Sequence, residues 1–162
     1  HWVAALAEQE LVCLESWKAL RLDGAGITEA NAEQVFAGIQ RLSALELLSL
    51  SGNRFGGQGG VAFESTLRAL TRLGELQLSN CQLAAADMQL LSRALRQHAD
   101  RTQKLLLHGN RAITDDDAKE LATVALPNLM WLKEVNFMDT AVTPAGLDIV
   151  RAALGPRGVV HG

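Results

Sequence analysis

Three groups of side chains have types and spacing that could do chemistry. Gly56-Gly57-Gln58-Gly59-Gly60 precedes a helical pattern, the setting in which backbone amides can cradle a phosphate. A phosphate loop ends in Gly-Lys-Ser/Thr, and none follows here. A dinucleotide loop also needs a later acidic residue on the ribose. The glycines therefore read as a tight strand-to-helix turn. Asp115-Asp116-Asp117 could hold a cation, but no calcium-loop spacing surrounds it. Acidic residues at a helix start are favoured by the helix dipole. The four histidines, His1, His98, His108 and His161, show no paired metal spacing. Spacing assigns no Ser/His/Asp grouping. The expectation is a chain that is not an enzyme and carries no cofactor and no metal.

Composition narrows the partners. The chain has 162 residues, a net charge of −3 and 4% aromatics with no tyrosine. Nucleic-acid or anionic-membrane binding wants a basic surface, and base stacking wants aromatics. No apolar run approaches the roughly 20 residues of a membrane span. No secretory signal pattern is visible either. Cys13 and Cys81 lie far apart and suggest neither a disulfide nor a metal framework. Reduced thiols fit an intracellular, cytoplasmic protein.

The elements that must position everything else come from one phrase used five times. Its form is Leu-x-x-Leu-x-Leu-x-x-Asn/Cys-x-Leu. The clearest copies are Leu45-Leu48-Leu50-Asn53-Phe55 and Leu73-Leu76-Leu78-Cys81-Leu83. A third runs Thr102-Leu105-Leu107-Asn110-Ile113, with one extra residue after the asparagine. Weaker copies are Trp17-Leu20-Leu22-Ala25-Ile27 and Leu132-Val135-Phe137-Thr140-Val142. The starts are 28, 28, 29 and 30 residues apart, a period that marks a stacked repeat. Each Leu-x-Leu should be a short strand with its leucines inward. Each asparagine should turn its amide onto buried backbone groups of the bend.

A helix should follow each strand. Val35, Ile39 and Leu42 share a face of a segment expected over 29–42; Phe63, Leu67 and Leu70 do the same, as do Met88, Leu91 and Leu95. Thr114 with Asp117 forms a helix-start signal, and Thr143-Pro144 another. Gly155-Pro156 should close the last helix. The array therefore reads as 17–44, 45–72, 73–101, 102–131 and 132–154, with a tail at 155–162. Residues 1–14 read as the helix of a preceding repeat or as a cap. The missing polar caps suggest part of a longer protein.

The long repeat with Asn53, Cys81 and Asn110 at the bend resembles leucine-rich repeats of the ribonuclease-inhibitor-like class. Similar repeats occur in NOD-like receptors and Ran GTPase-activating proteins. Ala25 and Thr140 depart from the asparagine or cysteine of the pattern. The resemblance implies an α/β solenoid, a right-handed curved superhelix with a parallel concave sheet and convex helices. It also implies a non-catalytic scaffold that binds a protein partner. One alternative is a GTPase-activating regulator of a small GTPase. Another is a structural subunit of a large assembly, such as a ciliary or organellar complex.

Places three, five and seven of each phrase should face out from the sheet. They place Glu75, Lys104 and Glu134 in one row, Leu106 and Asn136 in the next, and His108 and Met138 in the third. The charged row alternates in sign, which suits either cross-strand pairing or a charged reading surface. Leu106 and Met138 are apolar at outward places, with polar neighbours, as in an interface hot spot. These seven residues are the expected partner contacts. Trp131, just before the last phrase, could anchor a partner but is expected to cover the end of the core.

Overall fold

A computed structural model describes residues 16–97 and 101–162. The expected helix over residues 1–14, together with Cys13 and His98, lies outside the described residues. Five strands fall on places three to five of the five phrases: β1 Ala19–Arg21, β2 Leu47–Ser49, β3 Glu75–Gln77, β4 Lys104–Leu106 and β5 Glu134–Asn136. Each is only three residues long, because one inward side chain between two outward ones satisfies the pattern. Leu20, Leu48, Leu76, Leu105 and Val135 are those inward residues, and all are buried. Neighbours pair in parallel, place for place, as with Leu48 opposite Leu76 and Leu105 opposite Val135.

A sixth strand was not expected. β6, Val159–His161, lies in the segment read as a tail and pairs in parallel with β5. Gly155 sits at φ +64° and ends the preceding helix, and the chain then returns to the sheet. Val160 buries beside Val135, leaving Val159 and His161 outward. The sheet is thus six-stranded and runs in chain order.

The helices pack behind it: α1 Ala32–Ile39, α2 Gln58–Ala69, α3 Ala85–Leu95, α4 Asp115–Glu120 and α5 Pro144–Leu154. α1 starts later than the expected residue 29. Asn31 Oδ1 accepts the Thr28 amide at 2.8 Å, and its Nδ2 donates to the Gly26 carbonyl at 3.1 Å. That turn holds Thr28 in a bridge opposite Arg54, so helical pairing is delayed. α4 opens as expected, with Asp117 accepting from the Thr114 amide at 2.8 Å and its hydroxyl at 2.9 Å. It then widens into a π turn, Leu121–Ala125, followed by a 3-10 turn, Leu126–Asn128. A π turn absorbs one additional residue. With the extra residue after Asn110, it accounts for the longest of the four spacings.

The core lies between sheet and helices. Leu45, Leu48, Leu50, Leu73, Leu76, Leu78, Leu105 and Leu107 are fully buried, each stabilising the fold by about 1.5–3 kcal/mol. Phe36, Phe55 and Phe63 cluster near its N-terminal end, with ring centroids 5.1–5.4 Å apart. Trp17 departs from the expected inward place and is 43% exposed. Trp131 likewise does not cover the core and is 60% exposed; Leu132 turns in instead.

The bends carry a polar seam. Asn110 Oδ1 accepts the Cys81 and Leu83 amides of the previous repeat at 2.9 and 3.1 Å. Its Nδ2 donates to Leu78 at 2.8 Å and Leu107 at 2.7 Å. Asn53 does the same one step earlier, tying the Ile27 amide and the Leu22 and Leu50 carbonyls. Cys81 is a buried free thiol that donates to the Leu50 carbonyl. Burial pushes its pKa up to about 11, against the lowering effect of the Asn53 and Gly52 backbone. Thr140 bonds only within its own repeat, donating to Phe137 at 2.6 Å and accepting from Val142 at 3.3 Å.

Candidate partner-binding face

The register places Lys104, Leu106, Glu134 and Asn136 at outward positions of β4 and β5 and Glu75 beside them on β3, while His108 and Met138 follow two residues beyond β4 and β5. Lys104 pairs with Glu134, its Nζ 3.1 Å from Oε2. That hydrogen bond, then the charges of Glu134 and Glu75, hold the Lys104 pKa above its usual value. Glu75 is turned the other way and accepts from Gln77 Nε2 at 2.5 Å. The expected three-residue alternation is therefore a contact pair with a third charge standing beside it. His161 joins the same row from β6, with Nε2 3.7 Å from Glu134 Oε1. Sequence reading missed His161. The valine pair after Gly158 was the available signal, being β-branched and bounded by glycine. An open trough of about 660 Å³ follows this row across the sheet.

The next two rows carry the apolar centre. Leu106 is half-buried, between Gln77 and Asn136 in register. Met138 is 49% exposed, two places along from Asn136. Asn136 has a structural share, because its Oδ1 accepts the Met138 amide at 2.9 Å. His108 lies beside them, with Nδ1 2.8 Å from Ser79 Oγ. That contact brings a serine and a histidine together, with Ser79 only 4% exposed.

The N-terminal half is built differently. Ser49 and Ser79 are buried in the sheet face. Ser49 Oγ donates to Asp23 and lies 3.0 Å from Gln77 Oε1. Asp23 also accepts the Ser51 amide at 3.1 Å, and Ser51 Oγ accepts the Ser79 amide at 3.2 Å. These polar groups satisfy one another.

The glycine run and the aspartate run both hold repeats together. Asp87 of α3 accepts the Gly57 amide at 3.0 Å and the Ala84 amide at 2.9 Å. A Cβ at Gly56 or Gly60 would stand 2.9 Å from an Asp87 carboxylate oxygen. The place where a phosphate could have sat is filled by the next repeat's own carboxylate. Asp115 reaches forward in the same way, accepting the Thr143 amide and hydroxyl at 2.7 Å each. No group of three or more candidate metal ligands exists among the described residues. No helix among them is long and apolar enough to cross a membrane.

Comparison with known proteins agrees with this architecture. A family model described as Leucine Rich repeat matches residues 43–63. The ribonuclease inhibitor of Mus musculus is 30% identical over 87 residues, covering 53% of this chain. The chain spans only 19% of that protein's length. The C-terminal domain of a Caenorhabditis elegans tropomodulin superposes with a TM-score of 0.68, covering 94% of this chain and 88% of that one. At 11% identity this is likeness of fold.

Proposed function

We propose that this leucine-rich repeat protein, of the ribonuclease-inhibitor-like class, is a non-catalytic scaffold that binds a protein partner through the C-terminal half of its concave sheet. The observation that carries the reading is the contrast at Leu106 and Met138. They are the apolar side chains left accessible on the outward rows of β4 and β5, among His108, Asn136 and the Lys104–Glu134 pair. An apolar centre that sheds water, bordered by polar groups that set register, is the anatomy of an interface hot spot. Glu75, Lys104 and Glu134 then act at the border, where charge governs association rate and specificity more than affinity. An intracellular setting fits the free thiol of Cys81.

The test is affinity capture from native lysate by the chain and by its Leu106→Asp/Met138→Asp variant. A protein held by the former and lost from the latter, with unchanged circular dichroism, supports this face. Identical captured sets would count against it.

A further inference from the structure

One edge of the solenoid carries a second surface, which adjoins the trough of the charged row at Glu46, Gly74 and Gln103. Arg72 and Arg101 occupy the same place in successive repeats, immediately before Leu73 and Thr102, and both are exposed. Thr102 Oγ1 donates to the Leu73 carbonyl and the Gln103 amide to the Gly74 carbonyl, so the two arginines rise side by side. One repeat further on, the equivalent place holds Trp131, 60% exposed, next to Met130, 61% exposed. Arg72, Gly74, Arg101 and Trp131 line one hollow of about 420 Å³. Its remaining charge, Glu46, already pairs with Lys18 at 3.3 Å. No ion pair holds either arginine among the described residues.

The hollow thus presents two guanidinium groups, without an ion pair among the described residues, beside an aromatic ring, on a chain whose net charge is −3. We propose that this edge docks an acidic peptide segment of a protein partner, with carboxylates on Arg72 and Arg101 and an apolar side chain against Trp131. Guanidinium forks match carboxylates geometrically. Arginine and tryptophan are also the residue types that most often dominate binding energy.

A phage-displayed library of random short peptides, panned on the full chain, tests this. The expected selection is peptides joining Asp or Glu to an aromatic or aliphatic residue. Synthesised, they should bind Arg72→Glu/Arg101→Glu and Trp131→Ala roughly tenfold more weakly or worse, and Leu106→Asp equally well. Their affinity should fall with added salt. Arg72, Arg101 and Trp131 are exposed and Leu106 is half-buried, and circular dichroism checks the fold. Selection of peptides without acidic residues would overturn the proposal. So would equal binding to the charge-reversed chain, or no selection at all. Loss on Leu106→Asp alone would assign the ligand to the concave face, overturning this inference while supporting the earlier reading.

Discussion

The two halves of the concave sheet use the same backbone for opposite ends. Over β1 to β3, outward places carry a half-buried Leu47 and three serines, Ser49, Ser51 and Ser79, whose polar groups meet Asp23, Gln77, neighbouring amides and His108. Over β4 to β6, the matching places carry Leu106, His108, Met138 and His161, long side chains with few internal partners. A surface whose polar groups are already paired gains little from a partner. One that leaves apolar area in water gains roughly 25 cal/mol for every Å² it buries. The seams differ in the same direction. Asn53 and Asn110 tie adjacent repeats together, whereas Thr140 closes only its own bend. The C-terminal end is the more open in surface and the less tied in its interior.

The strongest way to break this comparison is at the seams. Asn110→Ala strands two amides and two carbonyls and should destabilise the fold by about 3–5 kcal/mol. Thr140→Ala should cost about 1 kcal/mol. Urea titrations of both variants measure the difference, and equal losses would remove the asymmetry.

Alkaline pH should come next. The Cys81 thiol is pushed from 9.0 to about 11 when folded. The unfolded chain therefore releases this proton first as pH rises. Stability from the protonated thiol is full below pH 9 and declines between 9 and 11, by about 1.4 kcal/mol per unit. Cys81→Ser should remove that part of the slope. A thiol reagent at neutral pH should label Cys81 only as the chain opens.

The face itself is tested by placing the same carboxylate in each half. Leu106→Asp/Met138→Asp should weaken a captured partner by about 1.5–3 kcal/mol and change stability by less than about 1 kcal/mol. Arg21→Asp, at the exposed fifth place of β1, should leave binding unchanged. A reversed outcome would move the site to the N-terminal strands.

The smallest effect concerns the pair on the charged row. Glu134→Gln should lower the Lys104 pKa, which carbon NMR of its side chain reads directly. The raised pKa means the pair's stabilisation is present at neutral pH and is lost as pH rises through the Lys104 titration. Both side chains are partly in solvent, so the stability change should stay below about 1 kcal/mol.

Most of the backbone plan was legible because a periodic pattern admits few arrangements. Leu48, Leu76 and Leu105 had to face one way, so Glu75, Lys104, Leu106 and Asn136 had to face the other. The helix expected from residue 29 begins later because Asn31 forms a local turn that competes with helix formation. Val159-Val160-His161 carries no copy of the repeat phrase, and it forms a strand because β5 offers an edge to pair with.

The sequence by itself determined the repeat, the strand positions, the inward and outward rows, and the bend asparagines, because these follow from side-chain periodicity and local hydrogen bonding. Which partner each outward or polar side chain meets depends instead on how the repeats stack. Asp87 fills the glycine loop one repeat before it, Asp115 grips Thr143 one repeat on, and His161 returns to Glu134. Those contacts join residues about 27–30 positions apart. Stacking brings them within reach, and no local pattern encodes which partner is met.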